Sequence, residues 1–371
     1  MEITDFELIH VKPRWLFLKI YTDEGIVGYG EPILEGKART VETAVKEFFE
    51  YLKGKDPRRI EHHWQAMYRW SFYRGGPIIM SAISGIEQAL WDILGKYLGQ
   101  PVYQLLGGSV RDRIKVYAHI SGRTPEEYAE NALKRIKEGF RALKMAPFGA
   151  TRIVDTPKKI KEAAERVKAV REAVGDEVDL GIDCHGRLSP SMAILMAKAL
   201  EPYSPMFLEE PCLPENVDAM VTIARSTCIP IATGERLFTR WGFREVLEKQ
   251  AASILQPDLC HAGGIMECRK IAAMAEVYYA AVAPHNPLGP IALAACLQLD
   301  ACTPNFLIQE QVTLGEGYLK RPFKLEDGYV NVPRNPGLGI ELDEEAVEEK
   351  RYPGDWRNPH LIHEDGSVAD W

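Results

Sequence analysis

Asp183 in Ile-Asp-Cys-His, Glu209 in Leu-Glu-Glu-Pro and Glu235 in Thr-Gly-Glu-Arg follow one another at intervals of 26 residues. Each acid closes a short apolar run of strand type, and a helix-length segment follows each. In a (β/α)₈ barrel one strand plus its helix takes about this length, and functional groups gather at the C-terminal ends of the strands. Three carboxylates delivered to one mouth would repel each other unless a hard divalent cation lay between them. The pattern implies a metal site, and Mg²⁺ is the expected ion. It takes few carboxylates and keeps positions for water and substrate.

The same count continues through Asp258 in Leu-Gln-Pro-Asp, His285 in Ala-Pro-His-Asn and Glu310 in Ile-Gln-Glu, at intervals of 23, 27 and 25 residues. Six successive strands would thus end in Asp, Glu or His. Helix capping does not account for the set, because caps would vary among Ser, Thr, Asn and Gly. His185 lies two residues beyond Asp183 and on a strand would face the same way, beside the metal. The alternative for His185 is a metal ligand or a purely supporting group. Asp258 could orient the His285 imidazole and raise its basicity, or the two could form a structural hydrogen bond across the mouth. Two histidines flanking a metal suit proton abstraction next to a carboxylate, one removing the proton and the other delivering one. Glu310, opposite the ligands, could be held protonated and donate a hydrogen bond to the developing oxyanion.

The elements that must carry these groups are legible in outline. Residues 1–35 alternate as a hairpin should, and the period turns helical from Thr40 to about Lys96. From Ile114 the pattern is βαβα, with candidate strands 116–121, 142–146, 178–184, 206–210, 230–235, 253–258, 281–285 and 306–310. Beyond Gly315 it breaks into Gly/Pro-rich text, a short acidic helix at Asp343–Lys350 and a tail rich in Trp, Pro and His. The expected fold is α/β: a (β/α)₇β modified TIM barrel over 114–315, and an α+β capping domain over 1–113 on which 316–371 packs back.

With 371 residues the chain can bury both units, and 46% apolar with 26% charged residues is ordinary for a globular enzyme. A net charge of −8 with no basic stripe argues against a nucleic-acid partner. No apolar stretch in the sequence suggests a membrane span, and the first 20 residues lack a signal-peptide core. The seven cysteines form no C-x-x-C pair, so reduced thiols in a cytoplasm are expected. Strand alternation turns Cys184 away from Asp183 and His185.

Several longer stretches carry a resemblance. They are Phe72-Tyr-Arg-Gly-Gly-Pro77, Gln88-Ala-Leu-Trp-Asp92, Asp183-Cys-His-Gly-Arg187, Ile254-Leu-Gln-Pro-Asp258, His261-Ala-Gly-Gly-Ile265, Ala283-Pro-His-Asn-Pro-Leu-Gly-Pro-Ile-Ala292, Trp356-Arg-Asn-Pro359 and the closing Glu-Asp-Gly-Ser-Val-Ala-Asp-Trp. Over its whole length the chain resembles the enolase superfamily, mandelate racemase subgroup, and within it the D-galactonate dehydratase family. The resemblance implies that Asp183, Glu209 and Glu235 ligate Mg²⁺. It implies that His285, paired with Asp258, takes the C2 proton of an aldonate, that His185 protonates the leaving 3-hydroxyl, and that Glu310 assists the enediolate. The product would be a 2-keto-3-deoxy acid. Lys144, Arg39 and Arg74 are expected substrate contacts, the arginines lying on capping-domain loops. The partner implied is a small sugar acid, D-galactonate first, within an even-numbered homo-oligomer. Many members carry Lys-x-Lys at the end of the second barrel strand, where this chain has Lys144-Met-Ala146. Losing that second lysine disfavours two-base racemisation. The alternatives are a dehydratase of another aldonate, such as a gluconate-type acid, a racemase or epimerase working through the same enediolate, or a non-catalytic relative.

Overall fold

The alternation at the start of the chain folds as one antiparallel sheet, β1 (Ile3–Val11), β2 (Trp15–Thr22) and β3 (Val27–Gly30), in a computed structural model that describes residues 1–371. Four helices follow: α1 (Ala38–Leu52), α2 (Ile60–Arg69), α3 (Pro77–Leu98) and the single turn α4 (Val102–Leu105). Pro77 opens α3 where its missing N–H is no loss, and Gly99 closes it at φ 66°, the left-handed cap that favours glycine. α3 lies almost against β3, since a Cβ at Gly30 would come within 1.9 Å of the Gly85 carbonyl oxygen. One expectation needs correcting here. By length and composition α3, at 22 residues, could cross a bilayer, but 83% of its apolar window is buried inside the protein. Its apolar surface is core.

The βα alternation then begins with β4 (Arg113–Ile120), α5 (Pro125–Lys137), β5 (Ala142–Met145), α6 (Pro157–Val174), β6 (Asp179–Asp183), α7 (Pro190–Leu200), β7 (Phe207–Glu209) and α8 (Val217–Ala224). It ends with β8 (Ile231–Thr233), α9 (Thr239–Glu248), β9 (Ile254–Leu255), α10 (Ile265–Val277), β10 (Ala281–Val282), α11 (Pro290–Cys302) and β11 (Gln309–Glu310). Neighbouring strands pair in parallel, a bridge from Val282 to Phe306 joins the last two, and β11 pairs with β4 to close the barrel. Tyr117, Phe207, Ile254 and Ile308 plug its interior. The plug is tight: a Cβ at Gly181 would lie 2.5 Å from the Phe207 ring. The charged groups of the mouth therefore rest on an apolar floor.

The chain beyond the barrel is shared between the two units. β12 (Leu325–Glu326) and β13 (Tyr329–Asn331) form a hairpin that pairs antiparallel with β4, on the barrel rather than the capping domain. α12 (Glu344–Glu349) and the segment after it return to the capping sheet, where Lys19 pairs with Glu344 and the Tyr352 N–H donates to the His10 carbonyl.

Two buried carboxylates of the capping domain cap barrel helices that lack caps of their own. Glu87 accepts from the amides of Ile265 and Met266 at 2.7 and 2.8 Å, at the start of α10. Glu31 accepts from Gly289 and Ala292 at 2.7 and 2.9 Å, at the start of α11. Burial pushes both carboxyls up to about 8, against the pull of these amide donors. A carboxyl whose pKa is higher in the folded than in the unfolded chain stabilises the fold while protonated. That contribution is complete below about pH 4.5 and is lost as the pH rises through about 8. The melting temperature is thus expected to fall between about pH 5 and 8 more steeply in the wild type than in Glu87→Gln. Parallel profiles would contradict the assignment.

Candidate active site

Each barrel strand delivers at least one polar side chain to the mouth, and the cavity there measures about 930 Å³. Asp183 ends β6 and Glu209 ends β7, and both are buried. Glu235 follows β8 across Gly234, and one oxygen from each of the three carboxylates lies within 4.8 Å of the others. Lys144 on β5 reaches this cluster from below. Its ammonium lies 2.7 Å from Glu209, 3.2 Å from Asp183 and 2.8 Å from Glu310, and its side chain is 3% exposed. Gln256 donates to the other oxygen of Glu209 at 2.8 Å. The expected substrate contact Lys144 thus lies beneath the acids, as their counter-charge.

The ionisation of the cluster follows from its crowding. Burial opposes charge on Asp183, but Lys144 and His185 outweigh it and hold that carboxyl ionised. Burial and then the Asp183 charge push Glu209 well above the carboxylate range. Glu310 differs from the expectation of a neutral acid. Burial would raise it, yet Lys144, His285 and His119 hold it well below its ordinary value. The Asn286 backbone N–H donates to one of its oxygens at 2.7 Å, and His119 Nε2 lies 2.8 Å from the other. Four acids crowd around one ammonium, and the donor set of the triad is all oxygen. A hard divalent cation fits this triad.

The two expected histidines are brought to the same cavity, each with Nδ1 held by a neighbour and Nε2 toward a carboxylate. His285 Nδ1 lies 2.8 Å from Asp258 Oδ2, whose partner Oδ1 accepts from the Cys260 amide at 2.6 Å. Nδ1 therefore carries a proton, and Nε2 lies between Glu235 and Glu310, at 3.4 and 3.8 Å. Burial would lower this imidazole, but Glu310, Glu235 and Asp258 hold it well above its usual value. A cation in the triad would offset that field. His185 reads the other way. Arg187, which can only donate, approaches its Nδ1 at 3.1 Å, so the proton sits on Nε2, 3.1 Å from Asp183 Oδ2.

His185 reaches this position by a turn, not by the strand alternation expected of it. β6 ends at Asp183, and His185 and Gly186 adopt φ of 50° and 70°. A side chain there is strained unless its surroundings fix it. The His185 amide donates to Asp183 at 2.9 Å, Gly186 N–H donates to the Glu210 carbonyl at 2.7 Å, and Arg236 donates to the His185 carbonyl at 2.7 Å. Cys184 is buried, and burial pushes its thiol well up, so it is inert as a nucleophile.

Arg39 and Arg74 are not brought to the cavity. Arg39 is exposed and donates to the Pro353 carbonyl at 2.8 Å, tying down the tail, while exposed Arg74 lies 5.9 Å from the Tyr68 ring. Arg14 and Arg236 line the cavity in their place, with His119 on β4. His119 stands 25 residues before Lys144, so the strand count run backwards would have found it. Arg14 has no such signal, because a turn of the capping sheet positions it.

The chain matches the family described as mandelate racemase / muconate lactonizing enzyme, N-terminal domain, over residues 9–107. It matches the family described as enolase C-terminal domain-like over residues 127–346. It is 51% identical, over 100% of both chains, to D-galactonate dehydratases of Variovorax paradoxus and Ralstonia nicotianae. Among solved structures it is similar to an enolase from Agrobacterium radiobacter with Na and L-malate bound, at 33% identity and a TM-score of 0.94 over 100% of both chains. The chain belongs to the enolase superfamily, in its mandelate racemase subgroup, and within that subgroup to the D-galactonate dehydratase family.

Proposed function

We propose that the protein is a Mg²⁺-dependent sugar-acid dehydratase that takes the C2 proton from D-galactonate and expels its 3-hydroxyl, giving a 2-keto-3-deoxy acid. The observation that carries this reading is the pair of histidines facing a single carboxylate-lined cavity, His285 held at Nδ1 by Asp258 and His185 at Nδ1 by Arg187. The full-length relatives named D-galactonate dehydratase support the substrate. Asp183, Glu209 and Glu235 would hold the cation, which when bound supplies positive charge for the substrate carboxylate and for the enediolate.

In this reading His285 Nε2 accepts the C2 proton. Asp258 keeps the imidazole in the required tautomer, and the ionised Glu310 stabilises the imidazolium so formed. His185 Nε2 gives its proton to the departing hydroxyl, and the enol tautomerises to the ketone. Lys144 neutralises the carboxylates of the floor so that an anionic substrate can approach. Ala146, where a second lysine would serve racemisation, lines the cavity without an acid or base, which favours dehydration over epimerisation. The cysteines form no disulfide, in keeping with the cytoplasm as the compartment.

The test is purified protein with Mg²⁺ against a set of aldonates, with the 2-keto products trapped by semicarbazide. Strong signal on D-galactonate is expected, and silence across the set would overturn the proposal. Arg187→Met checks the acid. It removes the donor at His185 Nδ1, so C2 hydrogen exchange with solvent is expected to persist while dehydration falls by about 10²-fold or more. Equal loss of both would contradict the role.

A further inference from the structure

The closing Ala-Asp-Trp motif has no part in the mechanism above, yet Asp370 and Trp371 line the same cavity. Residues 361–369 form a small hairpin, with His363 N–H bonded to the Ser367 carbonyl at 2.8 Å and Ala369 N–H to the Leu361 carbonyl at 3.0 Å. Its side chains are mostly exposed, and of its second leg only Ala369 is buried. From there the chain runs along the rim of the cavity, with Asp370 exposed and Trp371 39% exposed. The Trp371 ring comes to 6.4 Å from the His185 ring and 6.5 Å from Trp356. Trp356 in turn lies 4.9 Å under the Arg14 guanidinium. Asn358 also lines the cavity, and a Cβ at Gly36 would lie 2.8 Å from its side-chain oxygen. The tail is thus clamped between a capping-domain loop and the barrel mouth, on the His185 side.

The charges around this wall are not balanced. Three arginines reach the cavity, and each is already engaged. Arg14 meets Glu35 at 3.5 Å and the Pro287 carbonyl at 3.2 Å, and Arg135 meets Glu138 at 2.8 Å. Arg236 meets Glu235 at 3.4 Å and the His185 carbonyl at 2.7 Å. Asp370 and Glu215 line the cavity without an ion pair. A ligand end placed here meets an indole face and the carboxylates of Asp370 and Glu215, while every arginine of the lining is already in an ion pair and Arg187, off the lining, feels the Asp370 charge.

We infer that Asp370 and Trp371 form the specificity wall for the far end of the substrate, selecting an uncharged polyhydroxyl chain over one ending in a carboxylate. The indole packs on the C–H face of the sugar chain, and Asp370 accepts from its hydroxyls and repels a second acid. The inference rests on the dehydratase reading and extends it to the choice between mono-acids and di-acids.

The experiment compares wild type, Trp371→Phe, Trp371→Ala and Asp370→Asn, with Mg²⁺, on D-galactonate and on galactarate, the di-acid of the same chain length. Thermal melts of each variant report its folding. Trp371→Ala is expected to lower kcat/KM on D-galactonate about tenfold, mostly through KM, with Trp371→Phe recovering much of it. Asp370→Asn is expected to shift the mono-acid to di-acid preference about tenfold toward galactarate. Unchanged KM and unchanged preference in folded variants, beside an active wild type, would overturn the wall alone. A wild type that dehydrates neither acid overturns the dehydratase reading and the wall with it.

Discussion

Replacing His285 by Asn is expected to abolish dehydration and C2 hydrogen exchange together, lowering both by about 10²–10⁴-fold. The reason is positional. Of the two histidines only His285 has its Nδ1 against a carboxylate, the 2.8 Å contact with Asp258, and this turns Nε2 to the cavity. His185→Asn is expected to separate the two, losing dehydration while C2 exchange continues. Asp258→Asn is expected to fall nearly as far as His285→Asn. In that variant the amide oxygen would keep the Cys260 N–H and the amide nitrogen would turn to His285. Nδ1 would then accept, the proton would move to Nε2, and the base would be lost. Exchange that survives in His285→Asn but not in His185→Asn would mean that the two roles are reversed.

The second large effect concerns Lys144. Its ammonium touches three buried carboxylates and is 3% exposed. Removing one partner of such a buried arrangement leaves uncompensated charge, at about 3–5 kcal/mol. Lys144→Met is therefore expected to melt on the order of 10 °C lower in the presence of a chelator. The same substitution removes a cation that competes for Asp183 and Glu209. Mg²⁺ is thus expected to raise the melting temperature of the variant more than that of the wild type. Melting curves with chelator and with Mg²⁺ test this. An equal metal-induced shift in the two proteins would show that Lys144 and the cation do not share these ligands.

The periodic part of the site was legible because a barrel repeats. Strand, helix and loop recur at nearly constant length, so Asp183, Glu209, Glu235, Asp258, His285 and Glu310 could be placed at one mouth from spacing alone. The longer stretch between β5 and β6 breaks that spacing between Lys144 and Asp183, so His119 is reached only by counting back from Lys144. The state of Glu310 was misread because its neighbours decide it. The same carboxyl is neutral beside apolar groups and ionised beside Lys144 and two histidines. Glu31 and Glu87 look like ordinary polar-face residues of a strand end and a helix, and only the docking of two domains makes them caps. Arg39 and Arg74 failed for a related reason. A loop can be assigned to the rim from its chain position, but the direction of a long side chain cannot. Arg14 and the Asp370–Trp371 end lie far from the barrel in sequence, and tertiary packing alone brings them to the cavity.

The central claim is that one cavity removes a proton at C2 and expels a hydroxyl at C3 of the same sugar acid. Its most direct test follows D-galactonate by proton NMR in deuterated water, with the protein and Mg²⁺. The account predicts a 2-keto-3-deoxy product carrying one deuterium at C3 and no accumulation of a C2 epimer. A C2-deuterated epimer without loss of the 3-hydroxyl would contradict it and identify the protein as an epimerase working through the same enediolate.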